Sequence, residues 1–368
     1  MTDCVIVGGG LVGLLAAREL VVEGLSVILL ERGKLGCEAS GAAGGILSPL
    51  YPWRVPDAVH TLAAWSQARY GDFSLKLADK TGVDPGWDQN GLLILDTQEA
   101  PQALTWAAKW KVAMQSVHGN ALDDVEPALE GRSTQALWMP DVAQIRTRRL
   151  IEGTRASLVQ LGVELREQTP GTGVAITHGR ATGVHTEQGE LSADAVVIAA
   201  GAWSEAILGR LGERISVKPV RGQMVSYRTQ PPFITCTLLK DGHYVLPRQD
   251  GKVLVGSTHE EVGFDNTTTQ AARNELIGAA EDMVPGLGGY PVAEHWAGLR
   301  PSSPEGIPYI GPYPEIGGLY LNTGHFRNGV LLALGSARLL TDIMLARKPI
   351  VPPDPFSIVA PRTVPVTA

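Results

Sequence analysis

Cysteine is scarce in this 368-residue sequence: Cys4, Cys37 and Cys236 are odd in number and lie far apart. They exclude a disulfide framework and offer no paired metal-ligand spacing, so a reducing, cytoplasmic setting is expected. Basic clusters are missing as well, with 31 Lys and Arg against 38 Asp and Glu for a formal charge of -7. Affinity drawn from neutralised phosphates needs clustered basic side chains, so no nucleic-acid partner is expected. Long apolar runs are broken by charge, the first by Arg18, Glu19 and Glu23 and the last by Arg338 and Asp342. With no basic-then-apolar leader either, neither a membrane span nor a stable membrane anchor is expected. H-E-x-x-H, P-loop, G-x-S-x-G and paired-Cys motifs are absent, so metal, phosphoryl and acyl-enzyme chemistry lack support, and no metal site is expected.

The chain is 44% hydrophobic and 19% charged, less charged than the usual share of about 25%, and can bury a large core. At a typical domain size of about 150 residues, the length suggests two domains, possibly interleaved. The 43 glycines and 25 prolines are spread along the chain and predict many tight turns.

An apolar run over residues 4–7 stops at Gly8-Gly9-Gly10-Leu11-Val12-Gly13 and continues into helical sequence to about Glu23, with Gly24 closing it. A second apolar run, 26–30, ends in Glu31. Strand, glycine turn, helix, strand is a crossover that makes the two strands parallel neighbours. Helices are expected at 51–69, 147–161 and 330–346, and strands at 163–166, 195–201 and 319–322. Short β-type runs at 91–96, 224–227, 244–246 and 253–255 suit an antiparallel sheet. Residues 349–368 hold six prolines and read as an extended tail. The fold class expected is α/β: a discontinuous Rossmann-type domain from 1–83, 146–218 and 297–348, and a second α+β domain on an antiparallel sheet from 84–145 and 219–296.

The glycine motif carries separable chemistry. Gly8 permits a sharp turn, Gly10 lets the backbone approach a pyrophosphate, and Gly13 allows close helix–strand packing. The helix start at Leu11 and Val12 supplies free N–H groups and the positive end of a dipole. Glu31 can accept hydrogen bonds from ribose hydroxyls and would repel a 2′-phosphate, although Arg32 beside it leaves an NADP reading open. Only one such fingerprint is present. The ligand is therefore either NAD alone or FAD with electrons leaving by another route.

Arg300 follows an apolar strand and precedes Pro301, an awkward setting for a guanidinium unless an anion accompanies it. That anion could be a ligand carboxylate, matched by the planar fork, or one of the chain's own acids.

Taken together, the N-terminal fingerprint, Ala39-Ser40-Gly41-Ala42-Ala43-Gly44-Gly45, Ala199-Ala200-Gly201-Ala202-Trp203-Ser204, Trp296-Ala297-Gly298-Leu299-Arg300-Pro301 and Gly324-His325-Phe326-Arg327-Asn328-Gly329 resemble the FAD-dependent D-amino-acid oxidase superfamily. The resemblance runs from residue 1 to about 350 and points within that superfamily to the glycine oxidases of thiamine biosynthesis. It implies noncovalent FAD, held by the fingerprint and by Ser40, Ala43, Gly44, Gly45, Ile46, Gly171, Ala200, Gly201 and Trp203. It further implies flavin contacts from Arg300 and from the strand-to-helix junction at His325, Arg327, Asn328, Gly329 and Val330, whose N–H groups would stabilise charge on the reduced ring. Arg300 and Tyr244 are implied to hold a substrate carboxylate, with Arg327 close by. Ile46 and His259 are implied to line the pocket, and His259 departs from the apolar residue of relatives. The activity implied is oxidative deamination of glycine, sarcosine or small D-amino acids by hydride transfer to the flavin, with dioxygen as acceptor and a homodimer or homotetramer as the assembly. A dehydrogenase passing electrons to a quinone and a noncatalytic dinucleotide sensor are the rival expectations.

Overall fold

The computed structural model describes residues 2–209, 211 and 215–362. Residues 210 and 212–214, inside the expected cofactor segment, and 363–368 of the expected tail lie outside the described residues.

The first sheet grows outward from Thr2–Val7. This strand pairs in parallel with Val27–Leu30 on one side and Gly189–Ile198 on the other, Cys4 lying opposite both Val27 and Ala195. Glu164–Arg166 and Leu319–Thr323 extend it in parallel, and Tyr309–Pro312 closes one edge antiparallel. Alternation explains the unbroken apolar runs. Cys4 and Ile6 face a core shared with helices Leu11–Val22, Asp57–Thr81, Thr147–Gln160 and Gly329–Met344, while Val5 and Val7 face a second core completed by Ala181 and Val184 of a β-hairpin.

The second sheet runs Glu294–Ser302, Lys218–Arg228, Lys252–Gly256, His243–Pro247, Thr237–Lys240, Leu92–Leu95, Gln135–Met139, Gln115–His118. Its neighbours are antiparallel except for Thr237–Lys240 beside Leu92–Leu95, which is parallel. Glu294–Ser302 is an edge strand, where Pro301 is tolerated. Arg300 lies opposite Val220, so residues 297–302 run in this sheet rather than with the first. Helix Gln270–Met283 covers one face, and the other carries Met224, Tyr244, Leu246 and Leu254.

Two elements differ from the sequence expectation. The helix expected at 51–69 is a short 3-10 turn, Pro52–Arg54, and then a helix over Asp57–Thr81. Pro56 holds Val55 extended and so delays the start. The buried stripe through Leu62, Ser66, Tyr70, Ser74 and Leu77 carries the helix past Arg69 to a left-handed Gly82. The described part of the proline-rich segment, 349–362, is docked rather than extended: Val351 and Phe356 are buried in the helix-side core, and the Arg362 guanidinium stacks on Tyr309 at 3.7 Å. Apolar side chains between the prolines give it something to bury.

Candidate active site

Two of the three fingerprint glycines are fixed by close approach. Gly8 has φ +117°, and a Cβ there would lie 2.3 Å from the Ala199 carbonyl oxygen; a Cβ on Gly13 would lie 2.0 Å from that of Gly8. Gly10 leaves the helix start uncovered, where the Leu11 N–H donates to Ser40 Oγ at 2.9 Å. The Glu31 carboxylate accepts from the Gly9 and Gly33 N–H groups, both at 2.8 Å, and so braces the turn it follows. Leu11 and Gly13 do not line the cavity beside this turn. Leu11 is buried in the core, and Gly13 serves the packing of helix on strand.

A cavity of about 1710 Å³ is lined by residues of both sheets. Single small ligands take about 300–1000 Å³, so there is room here for a dinucleotide together with a small substrate. Gly8, Gly10, Val12, Glu31, Arg32 and Ser40 line it, as do Gly171, Ala200, Gly201 and Trp203. The small-residue loop contributes Ala43, Gly44, Gly45 and Ile46. Gly45 has φ +93°, and a Cβ there would meet the Ile145 carbonyl oxygen at 2.0 Å; one on Gly44 would meet the Tyr244 hydroxyl at 2.7 Å. Asn328, Gly329 and Val330 bring the start of helix Gly329–Met344 to the wall. His325 also lines the cavity, yet its ring is buried against Ser336 Oγ at 2.9 Å, and burial pulls its pKa down to about 3.

Arg300 reaches this cavity from strand Glu294–Ser302, lying over Gly222, where any Cβ would collide with its guanidinium. It donates to Ser257 Oγ at 2.7 Å and to the Thr258 carbonyl at 3.0 Å. No carboxylate among the described residues pairs with it, so an internal ion pair is not its partner. Burial, and then the nearby Arg327 charge, lower its pKa to about 10. The Tyr244 hydroxyl lies 3.4 Å from Met224 Sδ, a weak acceptor, and burial raises its pKa, keeping it a donor. Arg327 Nη2 lies 3.2 Å from His259 Nδ1. Burial, Arg327 and Arg300 hold the His259 pKa below its usual value, so its neutral nitrogen accepts from Arg327.

Arg248 escaped the sequence reading. Buried beneath the small-residue loop, it donates to the Gly44 carbonyl and Gln144 Oε1, both at 2.5 Å, and to the Ile145 carbonyl at 3.2 Å. Desolvation lowers its pKa to about 10. The available signal was the one that marked Arg300, a guanidinium directly after a buried β-run. Chemically, the cavity joins a glycine turn at a helix start to two guanidiniums, Arg300 and Arg327, that pair with no carboxylate among the described residues, and to a phenolic donor. These donors fit a dinucleotide and a small carboxylate.

Comparison with known proteins agrees with this chemistry. A family profile described as DAO, FAD dependent oxidoreductase, matches residues 3–343. A protein of Pseudomonas aeruginosa named glycine oxidase is 47% identical, covering 96% of this chain and 97% of that protein. One of the same name from Pseudomonas putida is 45% identical with the same coverage. The crystal structure of glycine oxidase from Geobacillus kaustophilus superposes with a TM-score of 0.92 at 29% identity, covering 97% of this chain and 98% of that one.

Proposed function

The chain belongs to the FAD dependent oxidoreductase family, and on that premise we propose that it oxidatively deaminates glycine and other small amino acids or amines, with dioxygen as acceptor. The glycine oxidase names of the two Pseudomonas relatives support the substrate class. The observation that carries the reading is Arg300: a guanidinium in the cavity wall with which no carboxylate among the described residues forms an ion pair.

The turn at Gly8 and Gly10, with Glu31, would hold the adenosine diphosphate half of FAD. The loop at Ala43–Ile46, Ala200 and Gly201, and the helix start at Asn328, Gly329 and Val330 would surround the ring. Bound FAD supplies a hydride acceptor that passes its electrons to dioxygen, giving hydrogen peroxide. The chain supplies placement. Arg300 takes the substrate carboxylate in two charge-assisted bonds, and the Tyr244 hydroxyl adds a third, fixing the α-carbon against the cofactor. Of the two groups beside Arg300 and Arg327, Tyr244 stays protonated and His259 Nδ1 is taken by Arg327, so neither serves as the base. The substrate amine therefore loses its proton to water before oxidation. The product imine hydrolyses to a 2-oxo acid and ammonia, glyoxylate in the case of glycine. Cys4, Cys37 and Cys236 are free thiols that do not line the cavity, which supports noncovalent FAD and a cytoplasmic enzyme.

The test is an aerobic panel of glycine, sarcosine and small D-amino acids with the FAD-loaded protein. Peroxide and glyoxylate in equal amounts from glycine are expected. A yellow protein that no amine in the panel bleaches or turns over would refute the reading.

A further inference from the structure

The segment leaving strand Lys252–Gly256 stays with its own sheet as far as Glu260, which bridges Arg221 antiparallel, and only then departs from it. It carries Phe264 onto Trp203, ring centroids 5.3 Å apart, and Arg32 stacks its guanidinium on the same indole at 3.4 Å. Phe264 remains 52% exposed, so core burial does not account for an aromatic at this position. The loop is nevertheless tightly held. Arg221, whose side chain is 4% exposed, pairs with Glu260 at 2.7 Å and Asp265 at 2.6 Å and donates to the Thr267 carbonyl at 3.0 Å. Glu261 and Gly263 of this loop line the same cavity as Glu31, Arg32 and Trp203. Glu31 marks the adenosine side of a dinucleotide in this type of fold.

We propose that Phe264, set on Trp203 and Arg32, is a cofactor-retaining contact through which a loop of the second sheet closes over the adenosine half of the bound dinucleotide. Arg221 bolts the loop in place. Its main-chain oxygen also accepts from Arg300 Nη1 at 3.4 Å, so the clasp and the carboxylate site share one residue. The proposal rests on the FAD reading given above.

The experiment is FAD release from the diluted holoenzyme, followed by flavin fluorescence, with melting temperatures of the FAD-loaded and FAD-stripped proteins. Phe264→Ala is expected to raise the FAD dissociation constant roughly three- to ten-fold, the loss of one aromatic contact. Phe264→Tyr should restore retention. Asp265→Asn, which keeps the ring but loosens the loop, should also release FAD faster. The stripped Phe264→Ala protein should melt with the stripped wild type, so that only the FAD-dependent gain shrinks. Wild-type FAD retention by Phe264→Ala, or an equal loss of melting temperature with and without FAD, would overturn the proposal. Failure of the glycine assay with a weakened Phe264→Ala complex would instead sink the substrate reading and leave the clasp standing.

Discussion

A guanidinium shielded from water is costly unless oxygen acceptors surround it, and Arg248 and Arg300 find such oxygens without an ion pair to any carboxylate among the described residues. Arg248 is held by two carbonyl oxygens and one amide oxygen, which makes it a support for the loop at Gly44. Arg300 is held from behind by Ser257 and Thr258 and keeps unbalanced charge for a ligand. Tyr244 adds a neutral donor whose present neighbour is a sulfur. Tyr244→Phe should raise the KM for glycine about ten-fold or more, the loss of one hydrogen bond to a charged group, with a smaller change in kcat. Steady-state kinetics on the FAD-loaded variant would check this. Arg300 was legible in the sequence because a charge between an apolar run and a proline is rare. Ser257, Thr258 and the carbonyls that orient it were not, because nearly every loop offers such oxygens.

Among the elements, helix Gly329–Met344 ties its start to its surroundings at two points. Tyr70 of the long helix donates to the Val330 carbonyl, and His325 is bonded to Ser336. Buried neutral, His325 has its pKa lowered from 6.5 to about 3. Above pH 6.5 neither state takes up its proton. As pH falls from 6.5 toward 3, only the unfolded chain does, so this residue makes stability fall with pH across that window. His325→Gln, which can still bond Ser336 but does not titrate, should show a smaller drop in melting temperature between pH 7 and pH 5 than wild type. An equal drop would show that the acid sensitivity lies elsewhere. The first strand, turn, helix and second strand were readable because each signal sits within a few residues of the next. The start of the long helix was misplaced because Pro52 resembles a helix opening and the later Pro56 is the one used. The docking of Phe356 was hidden because burial of a tail depends on a groove built by distant residues.

At the scale of the whole molecule, the first sheet follows from local crossovers, whereas the second is assembled from strands far apart in the chain. No local pattern announces that Leu92–Leu95 and Thr237–Lys240 pair in parallel, or that residues 297–302 continue the strand begun at Glu294 in the second sheet rather than joining the first. The cavity was predictable in its lining more than in its support: all but Leu11 and Gly13 of the residues singled out line it, yet Ser257 and Arg221 were invisible until the two sheets were placed together, and the signal at Arg248 passed unread. The account depends on one contact, the grip of Arg300 on a substrate carboxylate beside the cofactor. Its most direct test is anaerobic reduction of the FAD-loaded wild type and Arg300→Met by increasing glycine. The account predicts that Arg300→Met stays yellow and needs about 100-fold more glycine, or beyond, for half-maximal reduction rate, the loss of two charge-assisted bonds. Half-maximal reduction at the wild-type glycine concentration would contradict it.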